Sequence, residues 1–295
     1  KVTSQNMNII LQYSPAALFL IMLGVGMSVN IKKFTDVFKN LKDLSIGLFL
    51  QMVILPSIGF LFAIFVPVDL VLKLGVILIT CVPSAISSNY ITKLVRGNIA
   101  LSVSLTTITA CLSFITIPLI LTIIAPIAMD GASVFQELNF VKMSLGLLLI
   151  TTLPVLLGIF INTKFSTLVK KINKFYSIFS LLLFSAIIFS AWFSEWSTII
   201  ALYKSVGFLA LSLAIVILIT SYTVVNLFNL NEDNKKAIII ESFIQNAAMA
   251  IIVGGVAFKN NSGYLSIAAL YALLQYKILF FMWASSTFLK KIKQD

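Results

Sequence analysis

The strongest constraint on this sequence is that apolar runs of about 20 residues follow one another along almost its whole length. Hydrophobic residues make up 60% of the 295 residues and charged residues only 11%, more apolar surface than a soluble domain can bury. The runs are also far longer than the ~10-residue alternating segments of a membrane β-barrel. The sequence therefore predicts an all-α integral membrane protein.

The positions of the apolar runs and of the lysines predict nine transmembrane helices. Most of the 21 basic residues fall in alternate connections, and the other connections are nearly free of them. By the positive-inside rule we expect a multi-pass protein of the cell (inner) membrane, with its N-terminus outside and its C-terminus in the cytoplasm. The predicted spans are 12–29, 44–66, 70–93, 98–128, 139–161, 176–195, 198–228, 237–258 and 264–289.

An odd number of spans predicts two four-helix repeats of opposite orientation within one membrane domain. Residues 12–128 form the first repeat, 139–161 a crossover span and 176–289 the second repeat. The third span carries Pro83 within a polar segment, and the eighth, its counterpart, carries Glu241. Interrupted helices at matching positions of inverted repeats are typical of a transporter's binding site near the membrane midplane.

Glu241 lies in a run that is otherwise apolar from Ala237 to Phe258. A charge at this depth costs at least ~3 kcal/mol, so Glu241 must face a partner, water or an ion. Gln245 lies one helical turn further on and Asn246 beside it, which gives oxygen atoms suited to a hard cation. The alternative is that Glu241 and Gln245 are polar contacts between helices.

Further polar groups are predicted at membrane depth: Gln51, the stretch 87–89, Ser102 and Thr106. Together with Glu241 they offer hydroxyl, amide and carboxylate oxygens with a single negative charge. This set matches a monovalent hard cation better than a transition metal, calcium or magnesium. The chain has no histidine, which removes histidine proton relays, haem axial histidines and most zinc sites.

Two stretches resemble the signatures of a known family. The run from Cys81 to Thr107 and the run from Glu241 to Asn246 are similar to motifs of the bile acid:sodium symporter family, and the similarity extends from about Ser14 to the C-terminus. The resemblance implies a core domain and a panel domain, two crossing discontinuous helices, and two sodium sites behind the crossing. Sodium would be the coupling ion, with no other cofactor. Many bacterial relatives have ten spans, and this chain is expected to lack the first of them.

The resemblance also implies roles for individual residues, none of them catalytic. It implies a first sodium site of Ser88, Asn89, Ser102, Thr106 and Glu241, a second of Gln51, Glu241, Gln245 and the backbone at Ser242 and Ile244, and substrate contacts at Ser84, Ser87 and Asn246. Gln275 and Lys277 are added as candidate substrate contacts, because the last span is expected beside the substrate cavity in this family.

Lys277 has no counterpart among the other predicted polar groups, because it is a cation near the centre of the last span. Its side chain reaches only part of the ~15 Å to either interface. Three interpretations remain open. It attracts an anionic substrate, it pairs with Glu241 in place of a cation, or it lies in a water-filled vestibule.

The predicted function is sodium-coupled symport of an organic anion, either a bile acid or a smaller carboxylate such as pantoate. A channel would need a continuous polar stripe through several helices, but the polar residues of this chain cluster at one depth. An enzyme embedded in the membrane would need an acid–base pair or a metal site, and a chain with no histidine and one buried carboxylate offers neither. The alternative is a proton-coupled or sodium-independent carrier that uses Glu241 and Lys277. The net charge of +11 is interpreted as a topology signal rather than as nucleic-acid binding. We expect a monomer in contact with membrane lipid. Because the sequence begins at Lys1 and shows no cleavable signal peptide, we expect a trimmed start.

Overall fold

A computed structural model describes residues 2–39, 41–128, 135–136, 138–194, 196–201, 203–258 and 263–292. Side chains are described between residues 14 and 282 of these ranges, apart from residues 33, 173, 194, 198 and 203. Every regular element in this part of the chain is a helix, which confirms the all-α prediction. The connections between the fourth and fifth predicted spans and between the eighth and ninth lie largely outside the described residues.

Sixteen α-helices follow one another along the described chain. They are α1 (Val2–Ser28), α2 (Ile31–Val37), α3 (Leu41–Phe49), α4 (Leu55–Phe65), α5 (Leu70–Cys81), α6 (Ser87–Leu94), α7 (Ile99–Leu119), α8 (Ala125–Ala128), α9 (Phe140–Leu147), α10 (Leu153–Lys164), α11 (Ser166–Ser194), α12 (Trp196–Ala201), α13 (Tyr203–Leu227), α14 (Glu232–Phe243), α15 (Ala247–Ala257) and α16 (Tyr264–Ile292).

Among the described residues, six helical stretches are long and apolar enough to cross a membrane, and the chain is a multi-pass membrane protein. In Lys174–Phe193 only 22% of the apolar window is buried inside the protein, so the fold leaves most of this apolar surface uncovered. The nine-span count and the inverted repeats stay predictions. The six stretches are Leu41–Phe65, Ile99–Ile127, Phe140–Lys164, Lys174–Phe193, Lys204–Leu227 and Tyr264–Met282, and shorter apolar helices run over Ser14–Ser28, Leu70–Cys81 and Ala247–Ala257.

Three of the long stretches contain a π-helical turn that precedes a proline. The turns cover Leu50–Ile54, Ile120–Ile124 and Leu148–Thr152, and a proline occupies the second position of the α-helix that follows each one. Proline has no N–H to donate, and its ring clashes with the carbonyl four residues earlier. The wider turn accommodates the ring, and each helix continues through its proline.

Two of the predicted spans are interrupted, as the sequence suggested. Residues 82–86 separate α5 from α6 and form the first interruption, and residues 244–246 separate α14 from α15 and form the second. Pro83 favours the first interruption because it cannot donate a backbone hydrogen bond. In the second, the side chain of Asn246 caps α15 by accepting a hydrogen bond from the Met249 N–H at 3.1 Å.

Helix α1 packs against α10 through backbone-to-backbone contact. A Cβ atom added at Gly26 would lie 2.0 Å from the carbonyl oxygen of Val155, and one added at Gly158 would lie 2.3 Å from that of Leu23. Only glycine permits this approach. The two glycines therefore fix the distance between these helices.

We predict that Gly158→Ala lowers the thermal unfolding temperature of the detergent-solubilised protein. The added methyl group meets backbone atoms that cannot rotate away, and overpacking of this kind costs about 1–3 kcal/mol. The matched control is Gly146→Ala, where no described heavy atom lies within 4 Å of the new Cβ. This control should be neutral or slightly stabilising, because alanine is the better helix former. Equal unfolding temperatures for both variants would contradict the packing described.

Candidate functional site

The carboxylate of Glu241 is the centre of a cluster of hydroxyl groups. The residue lies in the last turns of α14 and is 0% exposed. Its Oε1 accepts hydrogen bonds from Ser88 Oγ at 2.5 Å and from Ser102 Oγ. Its Oε2 accepts hydrogen bonds from Thr106 Oγ1 at 2.7 Å and from Ser84 Oγ. Four donors thus replace the water that burial removes from the carboxylate.

The hydroxyl groups come from two adjacent segments of the chain. Ser84 lies in the first interruption and Ser88 in the first turn of α6. Ser102 and Thr106 are four residues apart on α7 and therefore share one face of that helix. The side chain of Asn98 caps α7 and fixes where the helix begins, which sets the register of both residues.

Asn89 extends the cluster away from the carboxylate. Its Oδ1 lies 2.8 Å from Ser102 Oγ, which also lies 3.3 Å from Thr92 Oγ1. Within the described residues, the Nδ2 atom of Asn89 has no partner. All five residues predicted for the first sodium site therefore lie together, and Thr92 adds a hydroxyl group that sequence analysis missed.

The two interruptions are hydrogen-bonded to each other. The Ala85 N–H donates to the Ile244 carbonyl at 3.2 Å, and the Asn246 N–H donates to the Pro83 carbonyl at 3.0 Å. Between them the two segments form an isolated antiparallel β-bridge. These bonds satisfy backbone groups that have no partner within their own helices, as a membrane interior demands.

Helix α16 supports the second interruption from the other side. The side chain of Gln275 accepts a hydrogen bond from the Gln245 N–H at 2.9 Å and donates one to the Gln245 carbonyl at 3.3 Å. Tyr271 Oη donates to the Phe243 carbonyl at the end of α14 at 2.9 Å. Gln275, predicted as a substrate contact, thus binds the backbone of the interruption.

The residues predicted for the second sodium site are less closely assembled. Gln51 lies in the first π-helical turn and lines a small cavity together with Pro83. In the described part of the chain, neither amide atom of Gln51 has a hydrogen-bond partner. The carbonyls of Ser242 and Ile244 already accept bonds, from the Gln245 side chain at 2.6 Å and from a backbone N–H. A buried amide without a protein partner is unusual in a folded protein.

The five predicted substrate contacts are placed in different surroundings. Ser84 bonds Glu241, and Gln275 and Asn246 stabilise the second interruption. Ser87 Oγ lies 2.7 Å from the hydroxyl group of Tyr276 on α16. Lys277 is exposed, and the ion pairs found among the described residues do not include it.

Three functional-site residues were missed from the sequence. Tyr276 contacts Ser87, Tyr271 binds the end of α14, and Thr92 joins the hydroxyl cluster. Spacing offered a signal for two of them. Tyr271 lies four residues before Gln275, and Thr92 four residues after Ser88, so each shares a helix face with a predicted site residue.

The chemistry of the cluster fits a hard monovalent cation. It offers one carboxylate, several hydroxyl oxygens and one amide oxygen, all in a buried setting. Among the described residues no group of three or more histidine, cysteine or acidic side chains is close enough to hold a metal ion. A divalent hard cation would require more carboxylates, and a transition metal would require softer ligands.

Comparisons with known proteins agree with this chemistry. A sequence model of the sodium bile acid symporter family matches residues 15–202, which confirms the resemblance. The human ileal sodium/bile acid cotransporter is 32% identical over 161 residues, which cover 55% of this chain and 45% of that protein. Human sodium/bile acid cotransporter 4 is 27% identical over 245 residues, covering 82% of this chain and 55% of the relative. The uncharacterized sodium-dependent transporter YocS of Bacillus subtilis (strain 168) is 33% identical over 113 residues, covering 38% of this chain and 35% of the relative.

The matched regions cover part of each relative. The chain spans about half or less of the length of these three proteins. The family match includes the hydroxyl groups of α6 and α7 but ends before α14, where Glu241 lies. The structure joins the two regions, since the carboxylate and its hydroxyl donors are in direct contact.

We predict that Gln275→Met destabilises the second interruption. Methionine keeps the length of the side chain but loses both bonds to Gln245, at a cost of about 1–3 kcal/mol for the buried groups left unpaired. In hydrogen-exchange measurements, the backbone N–H of Gln245 should exchange faster in this variant than in the unmodified protein. Ser87→Ala is the control, because it removes the hydroxyl contact with Tyr276 on α16 and leaves Gln275 and both of its bonds to Gln245 in place. Unchanged protection in Gln275→Met would show that the interruption does not depend on α16.

Proposed function

Because the chain belongs to the sodium bile acid symporter family, a family of transporters and not of enzymes, we propose that it couples sodium entry to the uptake of an organic anion. The observation that carries this proposal is the fully buried carboxylate of Glu241 among four hydroxyl groups. The human ileal relative is named as a sodium/bile acid cotransporter, which supports sodium as the coupling ion.

The first sodium ion would bind between Glu241 and the hydroxyl groups of α6 and α7. Hydroxyl groups rotate freely, so the hydrogen atoms that now point at the carboxylate can turn away and present lone pairs to a cation. The ion would neutralise a charge that is costly to bury. Sodium at this position would therefore stabilise the contact between α14 and the first interruption.

The second sodium ion would bind near Gln51, with Glu241, Gln245 and the backbone at Ser242 and Ile244. The unpartnered amide of Gln51, as found among the described residues, and the small cavity beside it support this assignment. Both carbonyl oxygens keep a second lone pair for a cation. Gln245 would turn its side-chain oxygen from its present bonding arrangement toward the ion.

The anion would bind on the other side of the interruptions, at the N-terminal ends of α6 and α15. Backbone N–H groups and the helix dipole favour negative charge at such ends. Ser87 and Asn246 lie there, and Tyr276 covers Ser87. We propose a bile acid or a smaller carboxylate such as pantoate as the substrate class.

Sodium binding and anion binding would be coupled because both ligands contact the same two interruptions. Sodium on one side orders the segments whose other side binds the anion, so each ligand raises the affinity for the other. Alternating access then requires that the sodium-loaded state differ in energy between its outward and inward forms. The lysine-rich connections favour a cytoplasmic C-terminus in a protein of the inner membrane, so uptake would run toward those connections.

A proton-coupled carrier is the second candidate, since Glu241 could load a proton instead. Uptake of labelled anions into proteoliposomes, with sodium replaced by choline at several pH values, separates the two. Sodium coupling predicts that choline abolishes uptake at every pH. Proton coupling predicts that uptake survives in choline and increases as the outside pH falls. A sodium-independent carrier would show neither dependence.

We predict that Glu241→Gln abolishes sodium-dependent uptake, because both proposed ions lose their only charged ligand. Ser102→Ala removes one neutral oxygen, so the sodium concentration for half-maximal uptake should rise about fivefold, equal to ~1 kcal/mol. Ser104→Ala is the matched control on the same helix, because its hydroxyl group bonds the Ala100 carbonyl and not the carboxylate. Sodium dependence retained in Glu241→Gln would contradict the proposed sites.

We also predict a role for Lys277 in attracting the anion. Lys277→Gln keeps the size and polarity but removes the charge, and the anion concentration for half-maximal uptake should rise about tenfold, a change of ~1.4 kcal/mol. The control is Lys142→Gln, an exposed lysine on α9. If sodium affinity rises instead, Lys277 competes for Glu241. If neither affinity changes, Lys277 only lies in contact with solvent or lipid headgroups.

A further inference from the structure

Helices α1, α10 and α11 are joined into one group, here called the flanking group. The glycine contact described above joins α1 to α10. The side chain of Asn162 on α10 donates a hydrogen bond to the Val29 carbonyl, just after α1, at 2.7 Å. Tyr176 Oη on α11 donates to the Leu20 carbonyl on α1 at 2.5 Å. The three helices are therefore fixed to one another through their backbones.

The helices that carry the two interruptions and the hydroxyl cluster form a second group, here called the site group. It consists of α5, α6, α7, α14, α15 and α16. The donors to Glu241 join α6 and α7 to α14, and Gln275 joins α16 to the second interruption. Ser87 and Asn246, the proposed anion contacts, belong to this group.

Tyr90 makes a polar contact between the two groups. It lies on α6, three residues after Ser87, and its hydroxyl group lies 2.5 Å from Ser177 Oγ on α11. Residues three apart on a helix are neighbours, so the contact lies one turn from the proposed anion site. Helix α6 runs from the first interruption to the lysine-rich connection that follows Leu94. The contact therefore lies between the anion site and the lysine-rich face.

Trp192 makes a second contact between the groups, near the other end of α11. Its Nε1 donates a hydrogen bond to the Ala269 carbonyl on α16 at 3.2 Å. Helix α11 begins at the lysine-rich connection, and Trp192 lies about 22 Å further along its axis than Ser177. This contact therefore lies toward the face opposite to the lysine-rich connections.

The surroundings of the Tyr90 contact favour an anion. Lys93 lies one turn from Tyr90, and Lys174 lies one turn from Ser177, both toward the lysine-rich face and both exposed. Residues 70–129 and 138–194 contain no acidic residue, so neither lysine has an acidic partner within its own helix. The ion pairs found among the described residues do not include them. An anion that passes the contact thus meets positive charge.

The two groups also meet at the third π-helical turn, which precedes α10. Thr151 Oγ1 lies 3.1 Å from Ser113 Oγ on α7, and Thr152 Oγ1 donates to the Cys111 carbonyl at 3.0 Å. Ser113 lies at the middle of the membrane-length stretch Ile99–Ile127. This contact is therefore at mid-depth, between the levels of the Tyr90 and Trp192 contacts.

We infer that the Tyr90–Ser177 contact and the Trp192 contact are the two gates of the transporter, one on each side of the anion site. Each is a single hydrogen bond, weak enough to break once in every cycle. The mid-depth contact of α7 is the pivot, so one gate opens while the other stays closed. Lys93 and Lys174 receive the anion behind the first gate. The inference rests on the proposed function and adds the residues that open and close the site.

The first test fixes the lysine-rich gate in its closed form. Cys81 and Cys111 are replaced by alanine, and Tyr90→Cys and Ser177→Cys are joined by a bifunctional methanethiosulfonate reagent. The spacer of the reagent matches the length of the tyrosine side chain that it replaces. We expect an about tenfold or larger loss of sodium-dependent uptake, because a gate that cannot open keeps the anion site closed. Dithiothreitol should restore uptake.

The pair Leu20→Cys and Tyr176→Cys is the matched control for the cross-link. It replaces another tyrosine contact of 2.5 Å, made by the residue next to Ser177 on α11. Both of its residues belong to the flanking group, so they move together. Cross-linking of this pair should leave sodium-dependent uptake unchanged.

The second test measures gate opening without transport. Phe184→Cys places a thiol between the two gates, on the face of α11 that carries Ser177, in the protein without its native cysteines. A membrane-impermeant anionic methanethiosulfonate reagent is applied to sealed vesicles from the lysine-rich side. Tyr90→Phe should raise the labelling rate about fivefold, the change expected for one lost hydrogen bond.

Further variants make the labelling test specific. Ser177→Ala, alone or combined with Tyr90→Phe, should give the same increase as Tyr90→Phe, because each variant removes the same bond. Tyr176→Phe should leave the rate unchanged, because it removes a bond within the flanking group. Trp192→Phe should raise labelling only from the opposite face. If the protein with paired cysteines fails to fold, the labelling test alone decides.

Three results would overturn the inference. They are full uptake after complete cross-linking of positions 90 and 177, an equal loss of uptake in the cross-linked control pair, and labelling that Tyr90→Phe does not change. Failure of the proposed function looks different, because uptake by the unmodified protein would then not depend on sodium, whereas labelling from each face would still report the gates.

Discussion

Burial of the Glu241 carboxylate is the constraint on which the rest of the site depends. A charge without water needs several hydrogen bonds at once, and in this fold they arrive from the first interruption, from α6 and from two successive turns of α7. Each donor must therefore be in register before the carboxylate is stabilised. The cap at Asn98 and the support that α16 gives to the second interruption both serve that register. Much of the centre of the molecule is organised to surround one side chain.

The choice of hydroxyl groups, rather than lysine or arginine, has a functional meaning in the proposed cycle. A cationic side chain would stabilise the carboxylate permanently and leave no place for an ion. A hydroxyl group can donate to the carboxylate when the site is empty and can offer its oxygen to a cation when the site is filled. The same side chains can thus stabilise both states, and the energy difference between them stays small enough for sodium to change it.

Much of the fold and part of the site could be predicted from the sequence, for identifiable reasons. Run length and hydropathy predict the helices, because they depend only on neighbouring residues, and the spacing of Ser102 and Thr106 places both on one face. The direction of Ser84 toward Glu241 was not predicted, since it depends on how two segments more than 150 residues apart meet. The contact between the Tyr276 hydroxyl group and Ser87 was not predicted for the same reason. Nor were the hydrogen bonds that Gln275 makes with the backbone of Gln245. The π-helical turns were missed because a proline in a helix suggests a kink and not a widened turn.

The pairing of the two interruptions also has a consequence for the order in which the protein assembles. The Ala85 N–H and the Pro83 carbonyl find their partners only in residues 244–246, which are synthesised long after the first interruption enters the membrane. Until then these backbone groups must remain near water or bind a temporary partner, since lipid offers none. The first half of the chain is thus inserted in an incomplete form, and its core closes in a late step when α14 and α15 arrive. Truncation before residue 244 would therefore leave a membrane-inserted fragment with an unsatisfied backbone, a natural target for membrane quality control.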